Sequence, residues 1–169
     1  MANTQAVLHS HAEAGKSVDE CVSLANDLLH TYTPKNTFVT LVMAALASDG
    51  HTRICNAGHV KPIVVRANGQ AELVEQSDLV IGVMRGRKYA STDIQLDPGD
   101  TMVLYSDGVG EALNEERSLL GDDAAVDTAV ANHKRSANEI VTALVELVDE
   151  FAGGAEQADD ITVLVVKRV

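Results

Sequence analysis

Thr101-Met102-Val103-Leu104-Tyr105-Ser106-Asp107-Gly108 reads as a buried strand that stops on an acid. Thr101–Ser106 is a short apolar run of strand length, and Asp107-Gly108 has turn chemistry. A second stretch repeats the arrangement in reverse. Asp159-Asp160 stands immediately before Ile161-Thr162-Val163-Leu164-Val165-Val166. That run is so uniformly apolar that a central strand, covered on both faces, is expected. If the two strands are neighbours, Asp107, Asp159 and Asp160 gather at one end of the core. Carboxylates held at rigid strand ends suit hard cations such as Mg²⁺ or Mn²⁺. An ion held there can activate a water for attack on phosphorus. The residues alone leave a second reading open, in which Asp-Gly is a plain turn and Asp-Asp a solvated loop.

Outward from these strands the elements follow an α+β order. Residues 3–13 have weak helical patterning. Ser17, with Glu20 three residues on, is a capping box for a helix that Thr33-Pro34 stops. Phe38–Ala47, the Asp49-Gly50 turn and His51–Asn56 predict a hairpin. Ile63–Arg66 and Glu72–Glu75 flank an Asn68-Gly69 turn, and Tyr89–Leu96 leads through Asp97-Pro98-Gly99-Asp100 into Thr101. Glu111–Leu120 and Ala124–Asn132 read as helical or irregular. Asn138–Phe151 is an amphipathic helix that Gly153-Gly154 ends. There is no Gly-rich nucleotide loop, no Gly-x-Ser-x-Gly elbow and no zinc spacing of Cys or His.

Composition narrows the classes of function. The 169 residues suit one domain, 1–169, and 46% hydrophobic content with 22% charged is that of a folded chain. Thirteen basic against 25 acidic residues give a net charge of −12, which repels nucleic acid and anionic membrane alike. Aromatics at 3%, with no Trp, leave few platforms for stacking bases. Cys21 and Cys55 lack metal or redox spacing. They suggest a reduced compartment while leaving one disulfide open. No signal peptide opens the chain and no run approaches 18 apolar residues, so a cytoplasmic protein is expected.

Ordered motifs then carry a resemblance. They are Asn56-Ala57-Gly58-His59 with Pro62, Gly82-Val83, Leu96-Asp97-Pro98-Gly99-Asp100, Leu104-Tyr105-Ser106-Asp107-Gly108-Val109 with Glu111-Ala112, and Gln157-Ala158-Asp159-Asp160-Ile161-Thr162. From about Phe38 to Val169 the chain resembles the SpoIIE-type bacterial serine phosphatases of the metal-dependent PPM (protein phosphatase 2C-like) superfamily. The resemblance implies a PPM-type sandwich of two antiparallel β-sheets flanked by helices. It implies hydrolysis of phosphoserine or phosphothreonine by water activated between Mn²⁺ or Mg²⁺ ions, without a phosphoenzyme. It implies a phosphorylated regulatory protein of the anti-anti-sigma type as partner, in a stress or sporulation switch. Residue by residue, Asp107 and Asp159 match metal ligands, Gly108 lets the backbone turn beside the ion, and Asp160 matches a supporting position. Asn56, Gly58 and His59 match a structural motif, the histidine read as a hydrogen-bonding staple. Glu111 is read as structural.

One departure counts against a complete centre. The family's further metal-binding aspartates lie upstream, in an early strand and an Asp-x-x-Gly turn, and no Asp precedes Asp19 here. The expectation is an N-terminally truncated PPM domain lacking upstream strands. A fragment, a natural short form with little catalysis, and a site completed by a partner chain all stay open. Strand edges left bare would favour a homodimer. A non-catalytic PPM-fold module acting through protein–protein contact is the alternative.

Overall fold

The structure, a computed structural model, describes residues 2–34 and 36–169. Its elements are α1 (Ala2–Glu13), α2 (Val18–Tyr32), β1 (Leu41–Leu46), β2 (His51–Ala57), β3 (Ile63–Val65), β4 (Ala71–Leu73), β5 (Thr92–Gln95), β6 (Thr101–Tyr105), α3 (Asp107–Gly110), α4 (Asp122–Ala131), α5 (Ala137–Ala152) and β7 (Val163–Lys167). They form two antiparallel sheets with flanking helices, divided between two compact units that alternate along the chain. Among the described residues no helix is long and apolar enough to cross a membrane.

The first unit holds the residues up to His59 together with Glu75–Gln95. Its sheet runs β1-β2-β5. The Asp49-Gly50 turn closes β1 on β2 as the sequence predicts: the Asp49 carboxylate accepts from His51 N at 3.0 Å, and Gly50 takes φ +85°. β1 is shorter than the apolar run Phe38–Ala47, because Val39 instead bridges to Ile81. β5 is shorter than Tyr89–Leu96 because Ser23 Oγ of α2 accepts the Tyr89 N–H at 3.1 Å, diverting it from any strand partner. Glu20 holds the start of α2 by accepting from both the backbone N (3.0 Å) and the hydroxyl (3.2 Å) of Ser17. The buried face of α2 (Val18, Val22, Ala25, Leu29) packs with Cys55, Ala57, Ile81 and Tyr89. Cys21 and Cys55 are buried free thiols, which settles the disulfide question. Burial pushes the Cys55 thiol up to about 12, so it is a packing residue and a poor nucleophile.

The second unit holds Val60–Val74 and Leu96–Val169, and its sheet runs β4-β3-β6-β7. One row of side chains crosses three strands, since Ile63 pairs with Val103 and Val103 with Val165. Ile63, Val65, Val103 and Tyr105 share a core with Ala125 and Ala129 of α4 and Ile140, Leu144 and Val148 of α5. Ser136 caps α5 in a full capping box: its hydroxyl accepts from Glu139 N at 3.3 Å, and Glu139 accepts from Ser136 N at 2.9 Å. β4 pairs as Ala71–Leu73, ahead of the predicted Glu72–Glu75, because the hairpin closes at Arg66 N to Gln70 O (2.8 Å) and pairing starts at once. The expectation of a central last strand fails. Among the described residues β7 pairs with β6 alone, at the sheet edge, and Leu164 is 56% exposed. An apolar run reports burial by helices as readily as burial between strands; here α5 covers one face of β7.

Asp100, 2% exposed, ties the turn before β6 to β3's exit. Its carboxylate accepts from Arg66 Nη1 (2.8 Å), Ala67 N (2.8 Å) and Asp97 N (3.0 Å). Burial alone would raise this carboxyl; the bonds from Asp97 N, Arg66 and Ala67 N outweigh it and hold it below the usual carboxylate range. A lowered folded pKa means the unfolded chain takes up the proton first. The stabilisation is therefore complete above the ordinary carboxylate pKa of about 4 and is lost as pH falls toward the lower folded value. Asp100→Asn is expected to cost about 1–3 kcal/mol in urea unfolding at pH 7 and to flatten the stability loss below about pH 4. An unchanged acid limb would show that Asp100 contributes nothing to it.

Candidate metal-binding site

β6 and β7 are antiparallel neighbours, with Tyr105 opposite Val163. The exit of β6 and the entry of β7 therefore lie at one end of the sheet. Ser106 joins them. Its N donates to Thr162 O (2.9 Å), its hydroxyl donates to Asp160 O (2.9 Å), and the same oxygen accepts from Thr162 N (2.9 Å). Directly after this clamp, α3 begins with Asp107. Gly108 then packs against the opposing loop: a Cβ at 108 would sit 2.5 Å from Asp160 O and 3.4 Å from Asp159 O. Contact with backbone cannot be relieved by a side-chain rotation, so this approach requires glycine.

Asp107 and Asp159 thus leave two backbone segments in direct contact, and both side chains are exposed. Asp107 Oδ1 accepts from Gly108 N (3.1 Å), and Asp159 Oδ1 from Asp160 N (2.7 Å), which orients each carboxylate at its root. Gln157 Nε2 donates to Asp159 O at 2.7 Å within the same loop. Asp160 touches the β6–α3 turn through its carbonyl, with its carboxylate exposed. Asp107, Asp159 and Asp160 come to the same end of the sheet, since β6 and β7 are paired there. Among the described residues no group of three or more His, Cys, Asp or Glu is placed to hold a metal ion.

The donors suit a hard divalent cation in type. In number, two carboxylates fit one ion that keeps most of its waters, as Mg²⁺ commonly does, and fall short of a two-ion centre. Ser106 is the site residue that the sequence reading quoted without giving it a role. Its partners stand 54 and 56 positions away, and only strand pairing reveals them. Glu111 ends α3, its N donating to Asp107 O at 2.8 Å.

Asn56-Ala57-Gly58-His59 lies in the first unit and forms a tight turn. Asn56 Oδ1 accepts from His59 N (2.9 Å) and Asn56 Nδ2 donates to His59 O (3.1 Å). The turn needs φ +72° at Gly58, with Val80 N only 3.1 Å from where a Cβ would stand. The His59 ring meets Thr40 Oγ1 at 3.1 Å, so Asn56 supplies more of the stapling than the histidine does.

Two antiparallel sheets with this helical cover are the fold of PP2C-type (PPM) phosphatase domains. The phosphatase domain and regulatory-domain fragment of SpoIIE from Bacillus subtilis superpose with a TM-score of 0.81 at 23% identity, covering 98% of this chain and 48% of that one. The RsbU and RsbW domains of Rv1364c from Mycobacterium tuberculosis superpose with a TM-score of 0.83 at 26% identity, covering 99% and 46%. The chain belongs to the stage II sporulation protein E (SpoIIE) family, whose model matches residues 1–169. Protein IcfG of Synechocystis is 26% identical over 149 residues, 87% of this chain and 23% of that protein. The chain therefore spans about a quarter of IcfG and less than half of the two solved chains. The phosphatase domain of the Bacillus SpoIIE has also been solved after presoaking with Mn (TM-score 0.68, 22% identity, covering 98% of this chain and 73% of that one).

Gly108→Ala is expected to push the Asp159–Asp160 backbone off the β6–α3 turn. The expected cost is about 1–3 kcal/mol in thermal or urea unfolding, typical of overpacking, with weaker Mn²⁺ binding by calorimetry. Wild-type stability and Mn²⁺ affinity in this variant would show that the close approach has no role.

Proposed function

We propose that this chain acts in a metal-dependent protein serine/threonine phosphatase, removing phosphate from phosphoserine or phosphothreonine on a regulatory protein of the anti-anti-sigma type. One observation carries the reading. Ser106 and Gly108 hold Asp107 and Asp159 on adjoining backbone at the ends of paired strands. Membership of the SpoIIE family supports it. Asp107 and Asp159 are the proposed metal ligands, and Gly108 and Asp160 shape the backbone beneath them. The two free, buried thiols favour a reducing compartment, the cytoplasm.

Electrostatics explains why the pair needs a cation. Two exposed carboxylates repel a phosphate dianion, so on their own they would exclude the substrate. With Mn²⁺ or Mg²⁺ bound, the site gains a water of lowered pKa and positive charge to offset that developing on the phosphoryl oxygens. The chain's own part is positional. Hydrogen bonds from Gly108 N and Asp160 N orient one oxygen of each carboxylate, and both residues are exposed. The Ser106 clamp keeps their separation from varying with loop motion. A second reading, a PPM-fold module that acts by protein–protein contact, is favoured by the lack of a third ligating side chain among the described residues.

Hydrolysis of a phosphoserine peptide across a Mn²⁺ titration separates the two. The proposal expects Mn²⁺-dependent turnover that Asp107→Asn and Asp159→Asn each lower by at least about 100-fold, the upper end for loss of a metal's outer support. No turnover at any Mn²⁺ level supports the interaction module. Equal turnover in wild type and Asp107→Asn sinks the site assignment.

A further inference from the structure

A cavity of about 300 Å³ opens in the second unit between α3, the last turn of α5 and the loop that follows it. Two of its lining residues, Gly108 and Ala158, are the chain neighbours of Asp107 and Asp159. The cavity therefore adjoins the carboxylate pair, on the same unit. Its volume is at the low end for ligand sites and has room for one long side chain, not for a folded segment.

The lining has a definite chemistry. Leu113, Val148, Ala152 and Ile161 form an apolar wall, while Asp149 and Glu156 supply carboxylates. Among the described residues no Lys, Arg or His lines the cavity. The C-terminal end of α5, a helix of 16 residues, points its negative dipole end to the same place. Glu115 adds a further acid at the loop, its carboxylate oxygen lying 2.5 Å from where a Cβ on Gly154 would stand. An apolar wall with acids around it matches an aliphatic stem bearing a cationic head. An acidic side chain would meet like charge there, and a short one would leave the wall uncovered.

We infer that this cavity receives a lysine or arginine side chain flanking the phosphorylated residue of the protein substrate, so that the enzyme selects phosphosites with a basic neighbour. The inference rests on the phosphatase reading for its substrate and on the cavity for its selectivity. Asp149 and Glu156 are specificity residues in it, with no part in the hydrolysis itself.

The test uses the full chain and two fluorescein-labelled phosphoserine peptides, one with Arg on both sides of the phosphoserine and one with Glu there. Binding is read by anisotropy, and hydrolysis of both peptides is followed with Mn²⁺. The Arg peptide is expected to bind more tightly, less so as salt rises. Asp149→Lys and Glu156→Lys are each expected to weaken it about fivefold, the upper end for a partly exposed ion pair. The milder Asp149→Asn and Glu156→Gln are expected to shift it in the same direction. Glu150→Lys makes the same charge change on α5 at a residue outside the lining and is expected to leave the preference intact. Equal affinity for the two peptides, or an equal loss in Glu150→Lys, overturns the inference. Turnover without any Arg preference rejects the cavity alone. A preference lost in Asp149→Lys, with no hydrolysis of either peptide, supports the cavity and rejects the phosphatase reading.

Discussion

Antiparallel pairing of β6 with β7 is the constraint on which the rest of the second unit hangs. Its five register pairs join residues some sixty positions apart, from Thr101 with Lys167 to Tyr105 with Val163. Because the pairing is antiparallel, the end of one strand meets the start of the other, and the acids that follow and precede them become neighbours. The same register sets Val103 against Val165 and carries the apolar row on to Ile63. A one-residue slip would turn that row away from α4 and α5 and would separate Ser106 from Thr162. Core packing therefore enforces the geometry of the site: the free energy that buries Ile140, Leu144 and Val148 also opposes any drift between Asp107 and Asp159.

Charge is placed unequally in this molecule. Asp100 is buried and fully committed, its oxygens taken by Arg66, Ala67 N and Asp97 N. Asp107 and Asp159 are exposed, and each shows one short-range backbone bond. The first pattern satisfies a carboxylate for structure; the second orients it and leaves coordination capacity unused. Both lie in the same unit: Asp100 precedes β6, Asp107 follows it and Asp159 comes before β7. A net charge of −12 is therefore a poor guide to function, whereas the state of each carboxylate is informative.

Local signals in the sequence were readable because their partners are near. Ser17 with Glu20 starts α2, and Asp49-Gly50 and Asn68-Gly69 turn where their chemistry requires; the like box of Ser136 with Glu139, two residues ahead of the expected start of α5, went unread. What else escaped was non-local. The edge position of β7 depends on which strands pair, and apolar content along Ile161–Val166 carries no record of that. α3 is one turn of four residues, too short for any periodicity. The Ser106 clamp has partners more than fifty positions off. Asp107 and Asp159 were legible from their places at strand ends, and the structure does bring their backbones together. Asp160 was expected in a supporting position, and the contact it makes with Ser106 is through its carbonyl.

The division into units bears on what the site requires. Each unit buries its own core, with α2, β2 and Tyr89 in one and α4, α5, β3 and β6 in the other. Asp107, Asp159, the Ser106 clamp, Gly108 and the cavity beside them all fall within the second. The carboxylate pair is therefore positioned by packing that this chain contains. The number of ligands is a separate matter: two carboxylates can be rigidly placed and still suit one hydrated ion better than two. Positioning and completeness are thus independent properties here. The first follows from strand pairing and one glycine, and the second depends on whatever further oxygen donors meet the pair.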